Sequence, residues 1–216
     1  EVNDNRAFDP NARRGGRSNL PLEHSCEWAL VRQVRRFIRN ECEPADRARR
    51  AEPWMAWVCF SRPHQPYTPS EPYASRYDPD DITLPPTGEA ESANIAAARS
   101  HERYGPFDEE TLRRNVAAYL GCVSQVDAAF GLLLKELEAA GQLDRTVIVY
   151  STDHGDHAGE HGMYEKKAGI STRSITRIPL MVRPPGGLST GRAIDEMAEA
   201  VDIFPTLCEL AGLPVP

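Results

Sequence analysis

Asp153 and His154 are the residues of this chain whose types and position best suit a metal ion. They follow the apolar run Val147-Ile148-Val149-Tyr150 and the polar pair Ser151-Thr152. A carboxylate offers a hard oxygen and an imidazole offers a nitrogen, and a strand end can aim both at one ion. An open α/β sheet builds its sites this way, at the carboxyl ends of its strands. A bare Asp-His pair also suits a strand that stops in a polar turn. The residues that follow favour a site: Gly155, Gly159-Glu160-His161-Gly162, Tyr164, and then Lys166-Lys167. His157, within the same stretch, is expected to face solvent. A second candidate is His64, between Pro63 and Pro66 just past the apolar run Trp54 to Phe60. A histidine there can donate to an anionic oxygen or protonate a leaving group. On residue type alone it also reads as a loop histidine.

The stretch from Thr146 to Gly187 resembles the sulfatase family of the alkaline-phosphatase-like superfamily. The matching parts are Ser151-Thr152-Asp153-His154-Gly155, Gly159-Glu160-His161-Gly162, Tyr164-Glu165-Lys166, Arg177-Ile178-Pro179-Leu180 and Pro184-Pro185-Gly186. Asp-His-Gly is shared across the superfamily, phosphatases included. The continuation Gly-Glu-His-Gly…Glu-Lys is what points to sulfatases. Phe60-Ser61-Arg62-Pro63-His64-Gln65-Pro66-Tyr67 resembles a second family segment, and Val201-Asp202-Ile203-Phe204-Pro205-Thr206-Leu207 a third. The resemblance runs from about Trp54 to the end of the chain and is weak before it.

The resemblance implies an alkaline-phosphatase-like α/β fold, here a partial domain, and metal-dependent hydrolysis of a sulfate monoester. It implies that Asp153 and His154 are metal ligands, usually of Ca²⁺. Imidazole is an unusual Ca²⁺ ligand, so Mn²⁺, Mg²⁺ and Zn²⁺ stay open. It implies that Lys166 contacts the sulfate, for which a compact ammonium is suited, and that His64 is catalytic. Arg62 and Arg177 are substrate or structural contacts in the same reading. The substrate class is a small-molecule or carbohydrate sulfate ester. A phosphomonoester or phosphonate-ester hydrolase is the alternative, and an inactive truncated product a further one.

Two parts of the family's machinery have no match. The formylglycine nucleophile arises from Cys/Ser-x-Pro-x-Arg, and none of Cys26, Cys42, Cys59, Cys122 and Cys208 begins that pattern. The strand-end Asp-Asp pair is also missing, since Asp80-Asp81 lies in a proline-rich loop. The nucleophile and a C-terminal subdomain are therefore expected outside this chain. The chain alone is expected to be inactive.

The positioning elements follow from periodicity and punctuation. Trp28, Val31, Val34, Phe37 and Ile38 fall at helical spacing, with Arg32, Arg35, Arg36 and Arg39 as a solvated face. Trp54 to Phe60 reads as a buried strand with Cys59 in the core. Residues 43–53 read as a charged connection and 88–105 as surface. Asp108 suits an N-cap, Glu109 and Glu110 a first turn, and Gly141 the C′ position of a long apolar-striped helix. Thr146 to Tyr150 and Ile178 to Val182 read as strands, the first of them buried. Asp202 caps a last helix that tolerates Pro205 in its first turn. Alternating strands and helices imply a mostly parallel central sheet flanked by helices.

The 216 residues divide into a polar linker, 1–20, and a partial catalytic domain, 21–216. A net charge of −7 argues against a nucleic-acid partner. No apolar run approaches the roughly 18 residues of a membrane span. The odd, scattered cysteines support neither a disulfide framework nor a zinc knuckle.

Overall fold

The computed structural model of the chain describes residues 15–42, 53–85, 92–100, 107–167, 169–187 and 191–215. Residues 1–14 of the expected linker, nearly all of the 43–53 connection and much of 88–105 lie outside the described residues. In chain order the helices are α1 (Cys26–Cys42), α2 (Ala93–Arg99), α3 (Glu109–Ala139), α4 (Arg173–Thr176) and α5 (Ile203–Leu210). The strands are β1 (Ile148–Ser151) and β2 (Leu180–Arg183).

Helix α3 is the spine. Asp108 caps it as expected, its side chain accepting from the Thr111 backbone N–H at 2.7 Å. At the far end Gly141 takes φ +63° at C′. There the Gly141 N–H donates to Glu138 O at 2.9 Å and the Gln142 N–H to Leu137 O at 2.8 Å. Those are the paired bonds of a Schellman stop, which needs a left-handed residue where glycine sits. By length and composition α3 could cross a membrane. Its apolar stripe is instead spent on packing. Ala129 and Leu133 bury against Val31 of α1, with Trp28, Val34, Val58 and Phe60 alongside. Leu112, Ala118 and Cys122 bury against Tyr67 and Tyr164. Each large side chain so buried contributes about 1.5–3 kcal/mol.

The arginine face of α1 is only partly solvated. Arg35 and Arg39 both donate to the Glu136 carboxylate of α3, at 2.7 and 2.6 Å. The two guanidiniums hold that carboxyl below the usual range, chiefly through the Arg39 hydrogen bond.

Residues 54–60 form no strand among the described residues, because nothing pairs with their backbone. Period-two alternation still holds from Trp57 to Phe60. Val58 and Phe60 pack inward, while Met55 and Trp57 are 71% and 79% exposed. Cys59 falls on that outer face and is exposed, not in the core.

Strands β1 and β2 pair antiparallel, with Ile148 opposite Arg183 and Ser151 opposite Leu180. The expected mostly parallel sheet has no counterpart among the described residues, whose strand pair is this one. The antiparallel pairing of β1 and β2 follows from the path of residues 152–179. They leave the end of β1 and return at that same end, closed by the Ser151 hydroxyl on Pro179 O at 3.0 Å. Strand β1 is half-buried rather than buried, resting on α3 through Phe130 and Tyr150 with ring centroids 5.2 Å apart. Strand β2 exposes Met181 and Val182.

Within the expected surface segment 88–105, residues 93–99 form α2. It buries Ile95 and Ala98 against Met163 and Ile170 of the 152–179 loop. Near the C-terminus Asp202 does not cap α5 directly. A short turn, Ala200–Asp202, precedes the helix, and the Asp202 carboxylate accepts from the Glu199 N–H at 2.8 Å.

Candidate active site

Residues 152–179 present the first half of the site. At the end of β1 the Thr152 hydroxyl donates to Asp153 Oδ1 at 3.3 Å, and the His154 N–H donates to the same oxygen at 3.0 Å. The imidazole is oriented too. His154 Nδ1 lies 2.7 Å from Gly155 O. A carbonyl only accepts, so Nδ1 carries the proton and Nε2 the lone pair in the neutral ring. That nitrogen stands 3.5 Å from Asp153 Oδ2. An oxygen and a nitrogen lone pair side by side fit two positions of a divalent cation's shell. Partial burial pushes the Asp153 carboxyl up, but His154 and the local hydrogen bonds hold it below the ordinary range. It is therefore ionised at neutral pH. No cluster of three or more His, Cys, Asp or Glu side chains suited to a metal is found among the described residues. The pair is a partial ligand set.

The next residue must be glycine. The Gly155 N–H donates to Ile175 O at 2.8 Å. A Cβ on it would lie 1.9 Å from Ser174 O, an overlap no rotamer relieves. The strand end is thereby docked on the turn at α4.

Asp156 was singled out by no pattern in the sequence, and it joins the remaining pieces. Its Oδ1 accepts from the N–H groups of Ala158 at 2.8 Å and Glu165 at 3.1 Å. Its Oδ2 accepts from the Tyr67 hydroxyl at 2.6 Å. Tyr67 is buried, and burial with the facing Asp156 carboxylate pushes its phenol well above the usual range, so it stays a donor. The Glu165 carbonyl in turn accepts from the His157 N–H at 3.2 Å. Glu165 is thus held on both sides at φ +63°, immediately before Lys166. Asp156→Asn should lower stability by about 2 kcal/mol, since hydrogen bonds to an ionised acceptor are the stronger kind. Urea unfolding checks this, and an unmoved midpoint would mean that an amide serves Tyr67 equally well.

His64 is exposed, with Nδ1 2.7 Å from Gln65 O, which leaves its Nε2 lone pair turned outward. Its loop is fastened by a buried polar network. Arg62 donates to Glu27 Oε2 at 2.7 Å and to Thr68 O at 3.0 Å. Gln125 of α3 donates to the same Glu27 oxygen at 2.8 Å and accepts from the Ser70 N–H at 2.9 Å. Arg62 is therefore a structural contact, while Arg177 is exposed. Burial pushes the neighbouring Cys122 thiol up to about 12, which leaves it neutral and unsuited to nucleophilic attack.

The structure thus brings Asp153 and His154 together. It ties the His64 loop and the Lys166 backbone to them through Tyr67 and Asp156. Lys166 is half-buried, and no hydrogen bond or ion pair among the described residues joins Lys166 or His64 to the Asp-His pair. His157 is not solvent-facing: it is 3% exposed. Its Nδ1 lies near the Thr172 and Ser174 hydroxyls, partners that no local pattern reveals. His161 adopts φ +55° and packs edge-on against the His157 ring at 6.2 Å.

Comparison with known proteins places the chain in a family. A family model described as Sulfatase matches residues 28–213, so the likeness begins well before Trp54. An arylsulfatase from Clostridium perfringens is 31% identical over 199 residues, covering 89% of this chain and 39% of that protein. A multifunctional alkaline phosphatase superfamily protein from Trinickia caryophylli is 30% identical over 217 residues, covering 92% of this chain and 40% of that protein. Among solved structures, the phosphonate monoester hydrolase of Agrobacterium radiobacter superposes with a TM-score of 0.74 at 26% identity, over 92% of this chain and 41% of that one. The chain therefore spans about two-fifths of the length of these relatives.

Proposed function

The chain belongs to the sulfatase family, and from that premise we propose that it carries the metal-binding and anion-binding part of a sulfuric ester hydrolase. The observation that carries the proposal is the paired Asp153 carboxylate and His154 Nε2, both oriented at the end of β1. Asp153 and His154 would hold a divalent cation. The bound cation supplies a Lewis acid that polarises a sulfate oxygen and offsets developing negative charge. Ca²⁺ is the family's usual ion, and Mn²⁺, Mg²⁺ or Zn²⁺ would sit more readily beside an imidazole. Lys166 binds the tetrahedral anion as a point charge. His64, with its proton on Nδ1, receives a proton at Nε2 and returns it to the leaving alcohol. The nucleophile, a formylglycine in the family's pattern, is assigned to residues outside this chain.

The substrate class is a sulfate monoester of a small alcohol, a phenol or a carbohydrate. The likeness to a phosphonate monoester hydrolase supports a second reading, hydrolysis of a phosphonate or phosphate monoester on the same groups. Assays of the complete protein on matched aryl sulfate, aryl phosphate and aryl phosphonate esters separate the two. A higher kcat/KM for the sulfate supports the first reading, and the reverse order replaces it with the second. In the same assay Lys166→Ala should cost at least ~10-fold more activity than Lys167→Ala, because only Lys166 stands in register. Equal losses would mean that the segment has been aligned one residue out.

A further inference from the structure

We propose that His157 is a positioning residue: as a neutral imidazole it clamps the Asp153–His154 loop against the turn at Thr172 and Ser174, and so sets the affinity of the site for its cation. This rests on the reading of Asp153 and His154 as ligands.

Three observations carry it. First, the ring is buried, and its Nδ1 faces two hydroxyls, Ser174 Oγ at 3.2 Å and Thr172 Oγ1 at 3.5 Å. Those hydroxyls bond each other at 2.8 Å, so the three groups form one chain. Second, the backbone docks at the same place, with Gly155 N–H on Ile175 O at 2.8 Å. The gap is too tight for a Cβ, so small displacements of the turn are transmitted to the strand end. Third, the backbone N–H of His157 donates to Glu165 O at 3.2 Å, one residue before Lys166. The residue therefore lies on the arm that bears the Asp-His pair and touches both the arm that bears Lys166 and the α4 turn. Surface burial of a spectator side chain does not require this convergence.

The clamp also has a preferred protonation state. Nε2 is buried without a hydrogen-bond partner. With the neutral ring's proton on Nδ1, donated to the hydroxyls, a second proton on Nε2 would be a buried donor with no acceptor, which costs about 1–3 kcal/mol. The groups facing the ring are Asp156, Glu160 and His161 from its own loop, while the α4 turn offers the two hydroxyls. Burial, the largest influence, holds the imidazole below its ordinary range, and His161 adds to it, against Asp156 and Glu160. With the folded value depressed, the open loop binds the proton more readily. The clamp is therefore intact above the ordinary imidazole value of about 6.5 and weakens as pH falls below it.

The test is a calorimetric titration of the complete protein with Ca²⁺ alone, near pH 8 and again near pH 5.5. His157→Phe fills the cavity without a hydrogen-bonding group and should bind Ca²⁺ ~10- to 100-fold more weakly near pH 8. His157→Asn keeps a polar group near the Nδ1 position and cannot titrate. It should stay within ~3-fold of wild type near pH 8 and lose less affinity on acidification. Ser174→Ala removes the hydroxyl partner and keeps the ring itself, and should weaken binding in wild type but add little to His157→Phe. Full Ca²⁺ affinity in Ser174→Ala, or in a folded His157→Phe with only its melting temperature lowered, would reduce His157 to a packing residue. No Ca²⁺ binding by wild type, even with aryl sulfate turned over, would remove the metal reading and the clamp with it. Tight wild-type binding that ignores these substitutions overturns the clamp alone.

Discussion

Replacing Asp153 with alanine lowers turnover of the complete protein by at least ~100-fold and strips it of metal. Asp153 is the charged member of the pair, and its carboxyl is already held in the ionised form. The side chain is 83% exposed, so no fold-wide packing depends on it. The loss should thus appear in kcat and in metal content, with little change in thermal unfolding. His154 alone is a neutral donor and offers no charge to hold the ion. Elemental analysis of the purified variant beside steady-state kinetics makes the check. Near-normal turnover with full metal content would mean that Asp153 is not a ligand.

Arg62→Ala should destabilise the protein by about 3–5 kcal/mol, the usual cost of stranding one member of a buried ion pair. The Glu27 side chain is 0% exposed and that of Arg62 9% exposed, so water cannot replace the lost guanidinium. The same substitution frees Thr68 O and loosens the loop that bears His64. The pair need not be stabilising as a pair: Arg62→Met combined with Glu27→Leu should recover most of the loss. Guanidinium unfolding of the single and double variants measures both figures. A single-variant loss below about 1 kcal/mol would show that Glu27 finds another partner.

The readable parts of this chain are those whose causes are local. Asp108 and Gly141 bracket α3 because capping acts within one turn. The pairing of Asp153 with His154 is legible because a strand end and three consecutive residues contain the bonds that orient it. His157 was misread for the opposite reason. Its hydroxyl partners lie 15 and 17 positions further on, and a histidine among glycines looks like surface. Asp156 was passed over because its Tyr67 partner lies 89 residues away. Alternating elements make the α/β class legible, whereas the antiparallel β1–β2 pair depends on where the connecting loop returns, which alternation does not encode. Cys59 shows a subtler limit. Period-two alternation sorts residues 57–60 into two faces, but only the packing of α1 and α3 decides which face is covered.

The uncovered face carries its own optical label. Of the three tryptophans, Trp28 and Trp54 are half-buried, Trp54 edge-on to Phe37 with centroids 5.6 Å apart, whereas Trp57 stands in water. Its indole Nε1 lies 2.8 Å from the Cys59 sulfur, close enough for the thiol to quench emission. Fluorescence from this one indole should accordingly be dim and red-shifted. Excluding water from the indole would shift its emission to the blue, so the colour of one residue reports the exposure of this face.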